Sequence, residues 1–100
     1  MATFIALITE TQQGELNIQD SVTRAAAFHD EASRFGAAVK DLYWTLGQYD
    51  GVLVFDAPDD ETAAAVLHHL SSKGAVRTQA MRAFNAKEMR SILQRAEGAE

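Results

Sequence analysis

Trp44, Gln48, Tyr49 and Asp50 lie close together in the chain and supply an indole, a carboxamide, a phenol and a carboxylate to one short stretch. An indole offers a flat apolar surface for stacking a planar ligand and a single N–H donor. A phenol and a carboxylate at a strand end can bind a small molecule or remove a proton from it. Each group also has a purely structural use. A Trp on an inward strand face fills a core or a subunit interface, and an Asp in a turn accepts hydrogen bonds from its own backbone. His29, bordering the apolar stripe of a helix, is the alternative base to Asp50. Tyr49 would then orient the substrate. His68 and His69 are adjacent on a helix, so they point about 100° apart and do not converge on one metal as an i,i+4 pair does. Asp56, Asp59, Asp60 and Glu61 lack the spacing of a calcium loop and suit a helix start instead. No metal site is therefore expected. Arg77 and Arg82 fall on opposite faces of a strand, so at most one of them faces a given pocket; an arginine there pairs an anionic ligand or blunts a sheet edge.

The elements that must position these groups follow from periodicity. Thr3 to Thr9 is apolar on both faces and reads as a central strand. Ile18, Val22, Ala25, Phe28, Ala32 and Phe35 recur at three- and four-residue steps, predicting an amphipathic helix that starts between Asn17 and Asp20 and ends near Gly36. In the next strand Ala38, Leu42, Trp44 and Leu46 alternate with Asp41, Tyr43 and Thr45, while Val39 and Lys40 break the pattern. Val52 to Phe55 reads as a strand buried on both faces. Between these two strands Gly47 and the Asp50-Gly51 dipeptide predict a hairpin loop of about four residues.

Pro58 and the acidic run Asp59-Asp60-Glu61 open a second helix, with Ala63, Val66, Leu67 and Leu70 as its buried stripe and Gly74 as its stop. Ala75 to Phe84 is a more polar final strand. Asn85 with Glu88 forms a capping box for a last helix with apolar Met89, Ile92, Leu93 and Ala96, and the tail over 97–100 is expected to fray.

The order is βαββαβ plus a C-terminal helix, which predicts an α+β, ferredoxin-like fold with an antiparallel four-stranded sheet. Its first and third strands should be central. Two helices cover only one face of such a sheet, yet the central strands carry large apolar residues on both. A second copy of the chain is expected on the other face, in a homodimer or higher homo-oligomer of the dimeric α+β barrel type. The terminal helix folding across that face is the alternative.

At 100 residues the chain, 1–100, makes one domain, burying roughly two-thirds of its unfolded surface. The absence of Cys removes thiolate nucleophiles, disulfides and Cys-based metal sites. A net charge of −5 argues against a nucleic-acid partner, whose phosphates call for clustered Lys and Arg. The apolar start is too short to span a bilayer and lacks the basic residues of a leader, so a cytoplasmic protein without a membrane partner is expected. Phosphate-binding loops, G-x-G-x-x-G and G-x-S-x-G are all missing, and no cofactor is expected.

Tyr43-Trp44-Thr45-Leu46-Gly47-Gln48-Tyr49-Asp50-Gly51-Val52, followed by Asp56-Ala57-Pro58-Asp59-Asp60, Val76-Arg77-Thr78 and Arg82-Ala83-Phe84, resembles the GYD domain family of small bacterial and archaeal proteins. The likeness runs over nearly the whole chain. It implies a compact, ferredoxin-like, oligomeric α/β domain and directs attention to the hairpin, but it implies no reaction. Two functions follow as expectations. The first is a homo-oligomeric binding or sensor module that holds a small, planar or weakly acidic metabolite in a cleft lined by Trp44 and the Gln48-Tyr49-Asp50 turn. The second is a cofactor-independent enzyme, similar in architecture to barrel monooxygenases and isomerases, with Asp50 or His29 as base. A domain that only assembles is a third reading.

Overall fold

The computed structural model describes residues 1–98. Four strands, β1 (Ala2–Glu10), β2 (Ala38–Trp44), β3 (Gly51–Ala57) and β4 (Val76–Ala83), form one antiparallel sheet in the order β2-β3-β1-β4. This is the ferredoxin-like arrangement, with the two most apolar strands in the centre. Helix α1 (Gln12–Leu16) and a single 3₁₀ turn (Ile18–Asp20) lead into α2 (Ser21–Arg34), while α3 (Asp60–Ser72) links β3 to β4 and α4 (Ala86–Gly98) follows β4.

Both α2 and α3 pack on the sheet face formed by Phe4, Ala6, Leu53, Phe55 and Ala57. From the helices, Phe28, Ala32, Ala63 and Val66 complete the core. The rings of Phe4 and Phe55 stack at 5.5 Å across the central strand pair. The starts of α3 and α4 are set by the residues expected to do so. Asp59 accepts a 2.7 Å hydrogen bond from the Thr62 amide at the start of α3. Asn85 and Glu88 exchange reciprocal bonds of 2.9 and 2.8 Å at the start of α4.

The structure corrects the sequence reading in several places. The helix expected to start between Asn17 and Asp20 opens as a 3₁₀ turn over Ile18–Asp20 and becomes α-helical at Ser21, and the short helix α1 before it was not expected. Ile18, Val22 and, at the C-terminal end of α2, Phe35 are exposed, and only Phe28 and Ala32 of the expected stripe are buried. In β2 the alternation breaks at Lys40: Val39 pairs with Phe55 and Asp41 with Val54, so Lys40 is the extra residue of a β-bulge. Val39, not Ala38, therefore joins Leu42 and Trp44 on the helix-covered face. The hairpin loop has six residues, Thr45 to Asp50, because β2 ends at Trp44 and β3 starts at Gly51. Gly47 takes a positive φ of 110° in this loop. Gly51 belongs to the strand, where a Cβ would lie 3.1 Å from the Tyr43 carbonyl oxygen.

The second sheet face presents Ile5, Leu7, Val52, Val54 and Met81, by alternation with the buried residues of each strand. Helix α4 does not fold across it. No residue of α4 is buried, and it makes no extensive packing with any strand. The radius of gyration is 15.3 Å and the extents are 54 × 31 × 18 Å, against about 13 Å for a compact chain of this length. The tail expected to fray from Glu97 is helical as far as Gly98, and residues 99–100 lie outside the described residues.

Candidate functional site

The site is built where β1 and the hairpin end. Beyond the last β1–β3 pair, Ile8 with Gly51, the ladder continues through the turn: the Asp50 amide donates to the Ile8 carbonyl at 2.8 Å. Asp50 Oδ2 then accepts from the Glu10 amide at 2.8 Å. The carboxylate thus ties the hairpin to the neighbouring strand and does not cap its own turn. That internal task falls to Thr45, whose amide donates to the Asp50 carbonyl at 3.0 Å and whose hydroxyl donates to the Tyr49 carbonyl at 2.7 Å.

Above this corner lies a largely apolar cavity of about 150 Å³ between α2, the sheet and the C-terminal end of α3. Ile8, Leu42, Leu53, Phe28 and Leu70 form its apolar wall, and Trp44, 52% exposed, stands at its opening. Charged groups are placed around that wall in pairs. The Arg24 guanidinium meets Glu10 at 3.0 Å, with the Glu10 side chain only 8% exposed. Glu31 accepts from Lys73 at 2.6 Å and meets His69 Nε2 at 3.0 Å. The hydrogen bond from Lys73, with the charges of Lys73 and His69 behind it, holds the Glu31 carboxyl below its usual range against the opposing effect of burial. His69 also packs on Phe35, ring centroids 5.4 Å apart, whereas His68 is exposed. The two histidines point apart as their spacing requires.

Close backbone packing holds Glu10 in place. Gly14 of α1 is buried against it, and a Cβ there would fall 2.7 Å from Glu10 Oε2 and 2.1 Å from the Ala75 carbonyl oxygen. Glu10 Oε2 and Arg24 Nε are buried without a hydrogen-bond partner among the described residues. An ion pair whose remaining lone pair and N–H are left unmatched is costly to bury. This favours a role in shaping the cavity over a gain in stability.

Of the residues singled out in the sequence, Trp44 and Asp50 line this cavity together; Gln48 and Tyr49 do not. The Tyr49 hydroxyl donates to Gln79 Oε1 at 3.0 Å, and Gln79, paired with Leu7, lies on the open sheet face. The hairpin therefore divides its polar groups between the two sides of the sheet. His29 is exposed on α2 and is not among the cavity residues. Among the described residues no cluster of three or more His, Asp or Glu is placed to hold a metal ion. Arg77 and Arg82 occupy opposite faces as expected. Arg82 stacks over Phe4 and Phe84 at 5.7 and 4.5 Å, and its guanidinium donates to the carbonyls of Thr3 and Ala83, so it acts within the fold and away from the cavity. Glu10, Arg24, Glu31 and Lys73 are the site residues that the sequence reading missed. A signal for two of them was present: Arg24 and Glu31 lie four before and three after Phe28, and so on the same helix face. Among the described residues no helix is long and apolar enough to cross a membrane.

The model of the GYD domain family matches residues 4–93. A Thermus thermophilus protein described as a glutamine synthetase and cystathionine beta-lyase binding protein is 36% identical over 90 residues, covering 89% of this chain and 95% of that one. Among solved structures, the feast or famine regulatory protein of M. tuberculosis, complexed with L-methionine, superimposes with a TM-score of 0.65 at 16% identity. The Mycobacterium tuberculosis leucine response regulatory protein gives 0.64 at 18%. These two matches cover 86% and 85% of this chain but only 52% and 51% of theirs, so the chain spans about half their length and the likeness is one of fold. A further crystal structure, also of a Thermus thermophilus protein, gives 0.56 at 25% identity over 86% of this chain and 96% of that one.

Proposed function

This chain belongs to the GYD domain family, and we propose that it is a homo-oligomeric small-molecule-binding module whose ligand occupies the cavity under Trp44. The cavity itself carries the reading. A pocket of about 150 Å³ beside the half-exposed Trp44, with an apolar wall and charged groups placed around it, has the character of a ligand site. A domain that merely assembles has no use for it. The open face with Ile5, Leu7, Val54 and Met81, left uncovered by α4, supports assembly through a second copy. Action in the cytoplasm belongs to the same proposal and rests on the sequence alone.

The 36% identical relative favours a second reading, in which the domain binds metabolic enzymes, since that protein is described by the two enzymes it binds. The two readings are compatible if ligand occupancy alters the surface offered to an enzyme. A catalytic reading has to use Asp50, because His29 does not line the cavity.

Native mass spectrometry beside the denatured mass tests the proposal. A multiple of the chain mass that retains or takes up a small molecule is expected. A single chain with no uptake from a metabolite extract would overturn it.

A further inference from the structure

The charges around the cavity do not balance. Five charged side chains line it: Glu10, Arg24, Glu31, Lys73 and Asp50. Arg24 is engaged by Glu10 and Lys73 by Glu31. Asp50 is left over. Among the described residues no Lys, Arg or His lies within ion-pair distance of it, and its one hydrogen bond is from a backbone amide to Oδ2. His69, the remaining partner of Glu31, is committed to the same carboxylate as Lys73.

From this count we propose that the cavity takes a small organic ammonium ion, a primary amine on an aromatic or branched apolar body, with Asp50 as its counter-ion and Trp44 as its lid. The inference rests on the binding-module reading above and adds the chemical class of the ligand. Three features agree on it. The cavity volume has room for about one aromatic ring. The wall of Ile8, Phe28, Leu42 and Leu53 suits an apolar body and offers nothing to a sugar or a phosphate. Trp44 at the opening provides a ring beside which a cation is favoured over an anion. A carboxylate ligand, by contrast, would meet Asp50 unscreened; the buried Arg24 Nε has no hydrogen-bond partner among the described residues, but the charge of Arg24 is met by Glu10 and that of Lys73 by Glu31.

Trp44 is the only tryptophan of the chain, so its emission reports on this cavity alone. The 100-residue chain is titrated with three probes of similar shape: phenethylamine, 2-phenylethanol and 3-phenylpropionate. Phenethylamine should shift the emission saturably and bind about tenfold more tightly than the alcohol, a difference of about 1.4 kcal/mol, and 3-phenylpropionate should bind most weakly. Asp50→Asn keeps an acceptor for the Glu10 amide and should fold, as circular dichroism will verify, while losing the preference for the amine over the alcohol. Equal binding of amine and alcohol, tighter binding of the carboxylate, or an undiminished preference in Asp50→Asn would overturn the ammonium assignment and leave the binding module standing. If none of the three perturbs Trp44 at millimolar concentration, the binding-module reading falls together with it.

Discussion

Replacing Asp50 by alanine separates the structural task of this carboxylate from any task toward a ligand. Oδ2 is the acceptor for the Glu10 amide at a part-buried position where the β1–β3 ladder has run out. A hydrogen bond to a charged acceptor contributes about 1.5–3 kcal/mol, and removing the acceptor leaves the donor without a partner. Partial access of water to the corner lowers the cost, so Asp50→Ala should destabilise the fold by about 2 kcal/mol. For a domain of this size that corresponds to a fall in Tm of about 8–16 °C. Asp50→Asn retains an acceptor in the same place and should lose only about 0.5–1 kcal/mol. The assay is equilibrium urea unfolding of the three proteins at one fixed protein concentration, since assembly would make the midpoint depend on it. An unchanged m-value shows that the difference lies in the folded state. Equal losses in the alanine and asparagine variants, or a loss below about 0.5 kcal/mol in the alanine variant, would refute the assignment of Asp50 as the tie between hairpin and β1.

Leu53 has no exposed surface and belongs to both the core and the cavity wall, so Leu53→Ala should cost about 3 kcal/mol in urea unfolding; a loss under about 1 kcal/mol would mean that the core closes over the gap. The carboxyls of Glu31 and Asp59 are both held low, by Lys73 and by the Thr62 amide respectively. Their contributions are therefore present above the ordinary carboxylate range and are lost as pH falls below about 4.5 toward their lowered values. Lys73→Met should reduce stability at neutral pH and flatten this acid loss, as urea midpoints across the range will show; an unchanged acid slope would contradict the ion pair. Ile5→Lys places a charge at the centre of the open face and should give a folded chain of single-subunit mass by light scattering, whereas retained assembly would move the interface elsewhere.

Legibility differed between fold and site. The strand order could be read because β1 and β3 are the two runs apolar on both faces, and the helix starts because Asp59, Asn85 and Glu88 act within three residues of their targets. The segment from Gln12 to Asp20 could not be read, since a helix of five residues has no period, and its placement depends on the contact of Gly14 with Ala75, far away in sequence. The cavity shows the same limit. Trp44 and Asp50 were legible as chemistry from their types, but the charged residues that share the cavity with them, Glu10 of β1, Arg24 of α2 and Lys73 just after α3, lie far from them in sequence. Tyr49 sits one residue from Asp50 and turns to the other side of the sheet, a choice set by the six-residue loop and invisible in residue type.

The bulge in β2 has a consequence for insertions and deletions. To its partner strand, the segment from Ala38 to Trp44 counts as six residues, with Lys40 as the supernumerary one. A chain lacking Lys40 would keep Val39, Leu42 and Trp44 on the helix side and regain an uninterrupted ladder, so this position should accept a one-residue deletion more readily than any other in the strand. A deletion between Leu42 and Trp44 would carry the tryptophan to the opposite face and empty the lid of the cavity. When related chains are aligned, a gap at Lys40 is thus compatible with an intact pocket, while a gap between Leu42 and Trp44 would mark a chain that has given it up.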